Sequence, residues 1–408
     1  MSARRVLFVA PQVPFPLDTG GKIRTFYQLK ALSERFAVDL LALDAAREIE
    51  DPLWREVEGR LGGVWSAPRE GLRRRGALLA AARGLVGPLP YPVEKYRSAQ
   101  AAMMIEELSA GGRYDAVHFD SLHTFRFAGS VRGGARKVLD EHNVEALILE
   151  RMAKVEGSWA KRRLIEGQAR RTARFERESA ARADRVLLCS QEDLALLAAQ
   201  GAPRERLEVI PNGVDVLRFS REGLGEGAAS AAPYVMFLGS LDWWPNVDGI
   251  MWFLETTWPQ IHAANPGLRC KIVGRNSPPS LSRRSQAGVE VLGGVPDVRP
   301  WIAGCAAFVV PLRVGGGTRL KILEALSMEA AVISTRVGAE GIAVEEGREL
   351  LLADEPGEIA RAVARVCGDA ALARGLGWRG RRLVEDRYSW AAIGRRLCEV
   401  YEEMWGGA

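Results

Sequence analysis

Three consecutive glycines followed by two closely spaced cations are the part of this 408-residue chain best equipped for chemistry. Gly315, Gly316 and Gly317 stand between an apolar run, Ala306 to Val310, and a segment in which Leu320, Leu323, Ala325 and Leu326 trace one face of a helix. A strand, a glycine turn and a helix start let backbone N–H groups approach an anion, helped by the positive end of the helix dipole. Arg319 and Lys321 fall in the first helical turn, where that dipole disfavours cations. A bound diphosphate would reverse the penalty. Glu324, one turn beyond Lys321, is placed to accept hydrogen bonds from a ribose. The glycines alone are equally at home in a tight turn at a solvated helix start.

The elements around this corner alternate. Arg4 to Ala10 reads as a first strand, followed after a loop by a helix from about Lys22 to Arg35 with Ile23, Phe26, Leu29 and Leu32 on one face. Strand-like runs continue at Val38–Ala42, Asp115–Phe119, Lys137–Asp140 and Arg185–Cys189, with helical stretches between them. Such alternation predicts an α/β fold with doubly wound parallel sheets. Ligands of these sheets bind beyond the carboxyl ends of the strands, where Asp120, His142 and Glu145 stand. Gly20 and Gly21 before the first helix are a second potential phosphate turn. Lys22 and Arg24 repeat the placement of cations at a helix start, and fit a ligand role or two solvated side chains equally. No G-x-G-x-x-G and no G-x-x-x-x-G-K-[ST] occurs, which argues against a dinucleotide oxidoreductase and a P-loop nucleotidase.

Length allows two domains of ordinary size. An apolar fraction of 47% and a charged fraction of 26% are those of a globular protein. No run of apolar residues is long enough to span a bilayer. The start resembles the basic end of a signal peptide, but Pro11, Pro14 and Pro16 interrupt its apolar part, so a first strand fits better. Five scattered cysteines and four scattered histidines form no zinc spacing and no disulfide framework, which fits a reducing cytoplasm. No cofactor and no metal is expected. A net charge of +5 permits an anionic partner without naming it.

Two basic stretches stand out. Residues 69–97 hold Arg73, Arg74 and Arg75 among Leu78, Leu79, Leu85 and Leu89, and fit either peripheral contact with the inner face of a membrane or a solvated surface helix. Lys161 to Arg177 lies on a long helix where interspersed glutamates predict ion pairs. Neither stretch interleaves the aromatics of a nucleic-acid platform, so no nucleic-acid partner is expected. Trp243 and Trp244 can stack on a base or a sugar; packing under their loop is the favoured reading.

The glycine corner, with Ala331–Thr335 and Gly338–Gly341 after it, resembles the donor site of the retaining family-four glycosyltransferases, which have the GT-B fold of two Rossmann-like domains facing across a cleft. Glu324-Ala325 matches the second glutamate of that family's motif, which holds the nucleotide ribose; the first glutamate falls on Gly316. Tyr114 to His123 resembles the family strand ending in His-x-His, with Asp120 in the second position, and Asp140 to Glu145 resembles the strand end where a histidine faces the donor sugar. The resemblance therefore implies His142, then Asp120, as catalytic residues; His118 and His123 flank a strand and read as packing residues. It further implies donor contacts from Gly20, Gly21, Gly239, Arg275, Gly316, Gly317, Thr318, Arg319, Lys321 and Glu324. Relatives grip the diphosphate with an arginine and a lysine after the first strand of the second domain; here Ser240 and Asn246 take those places, so Arg319 and Lys321 are expected to replace them.

The expected domains are 1–215 for the acceptor, a linker at 216–233, 234–387 for the nucleotide sugar, and a terminal segment, 388–408, returning to the first domain. The implied activity is metal-independent transfer of a sugar from a nucleotide-diphosphate sugar to a glycan or lipid-linked acceptor in cell-surface polysaccharide biosynthesis. The alternatives are a nucleotide-sugar epimerase of the same fold and a non-catalytic GT-B binding protein.

Overall fold

The computed structural model describes residues 4–44, 48–70, 80, 82–224, 233–283, 286–315 and 317–406. Arg73, Arg74, Arg75, Leu78, Leu79 and Gly316 lie outside the described residues. The chain forms two compact units, Met1–Pro211 with Ala391–Ala408, and Asn212–Trp390.

The first unit is built on a parallel sheet of seven strands: β1 (Arg5–Ala10), β2 (Ala37–Ala42), β3 (Gly63–Ser66), β4 (Ala116–Asp120), β5 (Arg136–Glu141), β6 (Arg185–Leu188) and β7 (Leu207–Val209). Their spatial order is β3-β2-β1-β4-β5-β6-β7. The chain winds outward one way from β1 and then restarts beside it at β4, so the switch point falls between those two strands. Val6 to Ala10 is buried on both faces, which is why β1 reads as a continuous apolar run. Helix α1 (Gly20–Arg35) follows, its first turn capped by Thr19, whose hydroxyl accepts from the Lys22 amide. Beyond β5 come α2 (Glu145–Val155) and the long α3 (Trp159–Arg182).

The terminal helix, Trp390–Gly406, packs on α1. A Cβ at Gly394 would meet the Ala31 Cβ at 2.7 Å, so glycine is needed for this approach. Arg35 Nε donates to Glu402 Oε1 at 2.7 Å, and the Tyr401 hydroxyl lies 2.7 Å from His118 Nδ1 inside the core.

The second unit has a six-stranded parallel sheet: β8 (Tyr234–Leu238), β9 (Arg269–Val273), β10 (Val289–Gly293), β11 (Ala307–Val310), β12 (Val332–Ser334) and β13 (Leu351–Leu352). Its order is β10-β9-β8-β11-β12-β13. Alternate residues of β8 serve opposite faces: Val235 and Phe237 enter one core cluster, Tyr234 and Met236 the other. Helix α4 (Trp244–Trp252) follows β8, and α5 (Leu320–Ser327) follows β11 and the glycine corner. The two Rossmann-like sheets and the returning helix agree with the expected fold class. All five cysteines are free.

Candidate functional site

In the first unit, the carboxyl ends of β4 and β5 and the start of α1 converge. His142 Nε2 lies 2.6 Å from Asp120 Oδ1 and 3.2 Å from Asp140 Oδ2. A Cβ at Gly21 would stand 3.6 Å from His142 Nδ1, in ordinary van der Waals contact, which places the start of α1 against that edge of the ring. The Thr25 hydroxyl donates to Asp120 Oδ2 at 2.6 Å and orients the carboxylate that holds the ring. Burial alone would lower the His142 pKa; the Asp120 and Asp140 carboxylates overcome this and hold it up at about 9. The side chain is therefore an imidazolium at neutral pH, suited to donating a hydrogen bond rather than removing a proton.

Behind it, Arg24 is buried and grips Asp140 with two bonds, Nε to Oδ2 at 2.8 Å and Nη2 to Oδ1 at 2.5 Å. Its Nη1 donates to the carbonyl oxygen of Ile210 at 2.8 Å. Arg24 is thus neither a solvated side chain nor an exposed ligand, because a planar fork in this pocket is matched by a carboxylate. Lys22 instead pairs with Asp18 at 3.0 Å. His118 is a packing residue as expected: it stacks on Phe8 with ring centroids 4.2 Å apart, and burial pushes its pKa down to about 4. His118, Asp120 and Asp140 each place a ligand atom within 4.8 Å of the others. With Arg24 and the His142 imidazolium already balancing both carboxylates, a divalent cation would add charge to a compensated cluster.

In the second unit the centre is Lys321. Its Nζ donates to Asn246 Oδ1 at 2.7 Å and lies 4.7 Å from the Phe237 ring centroid. A Cβ at Gly239 would come within 2.7 Å of that Nζ, so glycine at the end of β8 makes room for the ammonium group. Asn246 is itself held by Nδ2 donating to the Ser240 carbonyl at 2.8 Å. Burial, then the neighbouring Arg319 guanidinium, lowers the Lys321 pKa to about 7. Burial likewise pushes the Glu324 carboxyl up to about 7, against the pull of Arg218 and Lys321.

Arg319 is the N-cap residue of α5 and supplies no side-chain cap, and no acidic residue stands in the first turn. Its guanidinium turns back on the loop, donating to the carbonyl oxygens of Gly317 and, at 3.5 Å, Val337. Gly317 has φ 66°, a left-handed conformation that favours glycine. The Thr318 hydroxyl donates to the Gly341 carbonyl at 3.4 Å. Arg275 Nε donates to Ser240 Oγ at 3.2 Å.

The first unit brings together Gly21, Asp120 and His142, and the second Gly239, Lys321 and the Asn246 position. Sequence reading missed Thr25 and Asp140 as their supports, although Asp140 ends a recognised strand and Thr25 lies one turn after Gly21. Trp243 and Trp244 do not pack under their loop; they are 50% and 40% exposed. The physical reason is local: α4 starts at Trp244-Pro245 and buries Pro245, Asn246, Gly249 and Ile250, leaving the tryptophans on its outer side.

Each unit is a doubly wound α/β sheet with polar side chains gathered beyond its strand ends, the Rossmann-like class of ligand-binding domain. A model of Glycosyltransferase Family 4 matches residues 19–218, and one of Glycosyl transferases group 1 matches residues 232–369. The chain belongs to this group 1, family-four set of GT-B glycosyltransferases, enzymes that use nucleotide-sugar donors. It is 22% identical over 365 residues to an uncharacterized 44.6 kDa protein in the cps region of Klebsiella pneumoniae, covering 86% of this chain and 88% of that one. It is also 30% identical over 210 residues to a phosphatidyl-myo-inositol mannosyltransferase of Mycolicibacterium smegmatis, across 48% of this chain and 52% of the relative. Among solved structures, Anabaena HepE in complex with UDP-glucose superposes with a TM-score of 0.71 at 15% identity, covering 98% of this chain and 99% of that one. Sucrose-phosphate synthase of Thermosynechococcus elongatus gives 0.72 at 18% identity, covering 99% and 100%. At these identities the structural likeness carries the fold. No helix among the described residues is long and apolar enough to cross a membrane.

Proposed function

We propose that this glycosyltransferase moves a sugar from a nucleotide-diphosphate donor to a hydroxyl of a glycan or lipid-linked acceptor in surface polysaccharide synthesis. The donor diphosphate sits at the glycine corner of the second unit. The bond from the anomeric carbon to the diphosphate breaks, a bond to the acceptor oxygen forms, and the acceptor's proton is released. Negative charge grows on the departing diphosphate, and Lys321, Arg319 and the uncapped amides of α5 stabilise it more as the bond breaks than before. Glu324 receives the ribose hydroxyls. The His142 imidazolium, oriented by Asp120, offers a hydrogen bond at the strand ends of the first unit, where it serves turnover rather than the hold on the diphosphate. No bound metal is required in this scheme. Gly316 has no carboxylate, so the donor-sugar contacts of the family's first motif glutamate come from elsewhere in this protein.

The observation that carries the reading is the Lys321 ammonium lodged at Asn246 and Gly239, where the family places its own diphosphate cation. The known donor complex of a similar fold, UDP-glucose in HepE, makes uridine-diphosphate sugars the first to try. A panel of nucleotide sugars is screened for thermal stabilisation, since ligands of the native state raise its melting temperature. Stabilisation by one donor, lost in Arg319→Ala/Lys321→Ala, is expected. Release of nucleoside diphosphate only when acceptor is present is the signature of transfer; interconversion of the donor sugar without acceptor would instead identify an epimerase. Retention of the full thermal shift in the double variant overturns the donor site.

A further inference from the structure

The turn that carries His142 runs directly into α2, whose first residue is Glu145. The first amides of a helix have no acceptor within it. In α2 the N-cap residue is Val144, which has no side-chain oxygen and makes no cap bond. The Leu147 and Ile148 amides reach the Val144 carbonyl at 3.1 and 3.4 Å. The Ala146 amide donates elsewhere, to Glu176 Oε1 at 3.2 Å, on α3. Glu176 thus supplies from a neighbouring helix the oxygen that Val144 lacks. Burial raises the Glu176 carboxyl to about 8, against hydrogen bonds from the Ala146 and Glu145 amides. Near neutrality it is therefore mostly protonated, and a glutamine side chain resembles it.

The cap acts on a short piece of backbone that is tied on its other side as well. Cys189, just after β6, donates its thiol hydrogen to the His142 carbonyl at 3.2 Å. The ring itself is gripped by Asp120 at 2.6 Å and Asp140 at 3.2 Å, both on strand ends rather than on the turn. Two bonds of that length form together only if the turn delivers the ring accurately, and a misplacement of about 1 Å can cost roughly 100-fold in rate. The interior face of α3 carries Thr172, Glu176 and Ser179, spaced along one side of the helix and all buried. Thr172 Oγ1 and Ser179 Oγ have no hydrogen-bond partner among the described residues. Of the three side chains, Glu176 alone therefore bonds to α2 among the described residues. Packing α3 against α2 would be served by an apolar side chain at lower desolvation cost. A cap would not.

We propose that Glu176 is a positioning residue for sugar transfer: by capping α2 from α3 it fixes the turn that presents His142 to Asp120 and Asp140. It touches no substrate, and its role rests on the reading of His142 given above. Three variants of the full-length protein test it. Glu176→Met keeps the volume and removes the acceptor oxygen, Glu176→Gln keeps the oxygen, and Thr172→Val alters the same buried face without touching the cap. Turnover, the donor KM, the thermal shift with donor and an NMR titration of the His142 ring are measured for each. In Glu176→Met, turnover should fall roughly 10-fold, the scale of one lost hydrogen bond. Its donor KM and thermal shift should stay as they were, and the ring should titrate closer to the ordinary histidine value of about 6.5. Glu176→Gln should restore both turnover and titration, and Thr172→Val should match the unaltered protein. A ring titration or turnover unmoved in Glu176→Met overturns the proposal, as does an equal displacement of the ring in Thr172→Val. The glutamine arm does not depend on the methionine variant folding: a 10-fold loss of turnover in Glu176→Gln is equally fatal. Unchanged turnover in His142→Ala would instead defeat the reading of the ring, and with it any part of Glu176 in turnover. A ring unmoved in Glu176→Met defeats the positioning alone.

Discussion

Lys321 Nζ and Asn246 Oδ1 stand 2.7 Å apart, tying the helix after the glycine corner to the helix after the first strand of the same sheet. The pairing carries the cation across to Gly239 at the end of β8. It also explains why the lysine is half-neutral near pH 7: its partner is an uncharged amide, and burial and Arg319 both act against the charge.

Donor affinity should therefore depend on pH in a defined direction. A diphosphate favours the ammonium form, so affinity is highest below about 7 and falls as pH rises through the lysine's pKa. The same titration makes donor binding take up protons near neutrality. Lys321→Met should weaken binding at pH 6 by roughly 10- to 100-fold, the scale of one hydrogen bond to a charged group. It should also flatten the dependence between pH 6 and 8. Calorimetric titrations of nucleoside diphosphate at both pH values provide the check; a Lys321→Met protein with the wild-type slope would remove the lysine from the site.

Both sheets were legible because buried parallel strands read as short apolar runs, as in Val6 to Ala10 and Ala307 to Val310. The glycine corner was legible because its cations follow it within four residues. Arg24 and Asp140 were not, since 116 residues separate two partners that meet only when α1 packs over β5. Burial was the other hidden quantity. Nothing in Trp243-Trp244 tells which face α4 will present, and the apolar reading of tryptophan put them inside when they stand outside.

The Asp120 carboxylate should set the titration of His142. The folded pKa of about 9 lies above the ordinary histidine value, so the pair's stabilisation is complete below about 6.5 and is lost as pH rises through 9. Asp120→Asn should lower the histidine's pKa by at least one unit, read by NMR titration of the ring. His142→Ala should cut turnover far more than donor affinity. Turnover unchanged in His142→Ala would exclude the ring from the reaction, whatever its titration shows.

Glu141 and Glu176 are two buried carboxyls close to the site, and the charge of Glu176 acts on Glu141. Neither oxygen of Glu141 has a hydrogen-bond partner among the described residues, and Glu176 Oε1 accepts from the Ala146 amide at 3.2 Å. Burial pushes the Glu176 carboxyl up to about 8 and raises Glu141 well above the carboxylate range. Native protein thus holds protons that the unfolded chain releases at about 4.3, so stability present below that value declines as pH rises toward 8. Glu176→Gln keeps an oxygen for the Ala146 amide and removes the titration. The variant should gain stability relative to the unaltered protein as pH goes from 6 to 9, measured by urea unfolding. Parallel pH profiles for the two proteins would show that this carboxyl does not titrate in the folded state.

Arg24 is the residue whose loss should be felt most widely. It supplies two bonds to Asp140 and one to the Ile210 carbonyl, all buried. Removing one member of such a pair strands the other charge in the interior, at a cost of about 3–5 kcal/mol. His142 softens this, because its imidazolium reaches the same carboxylate at 3.2 Å. Arg24→Ala should accordingly be least harmful while His142 is protonated, and the deficit should grow as pH passes 9 and Asp140 loses its remaining cation. Arg24→Lys keeps the charge but not the fork, and should fall between the two. Removing the carboxylate as well, in Arg24→Met/Asp140→Leu, should recover part of the lost stability, because the stranded charge has gone. Urea unfolding at pH 7 and 9.5 separates these cases: a deficit in Arg24→Ala that does not change between the two pH values would mean that His142 gives Asp140 no compensation.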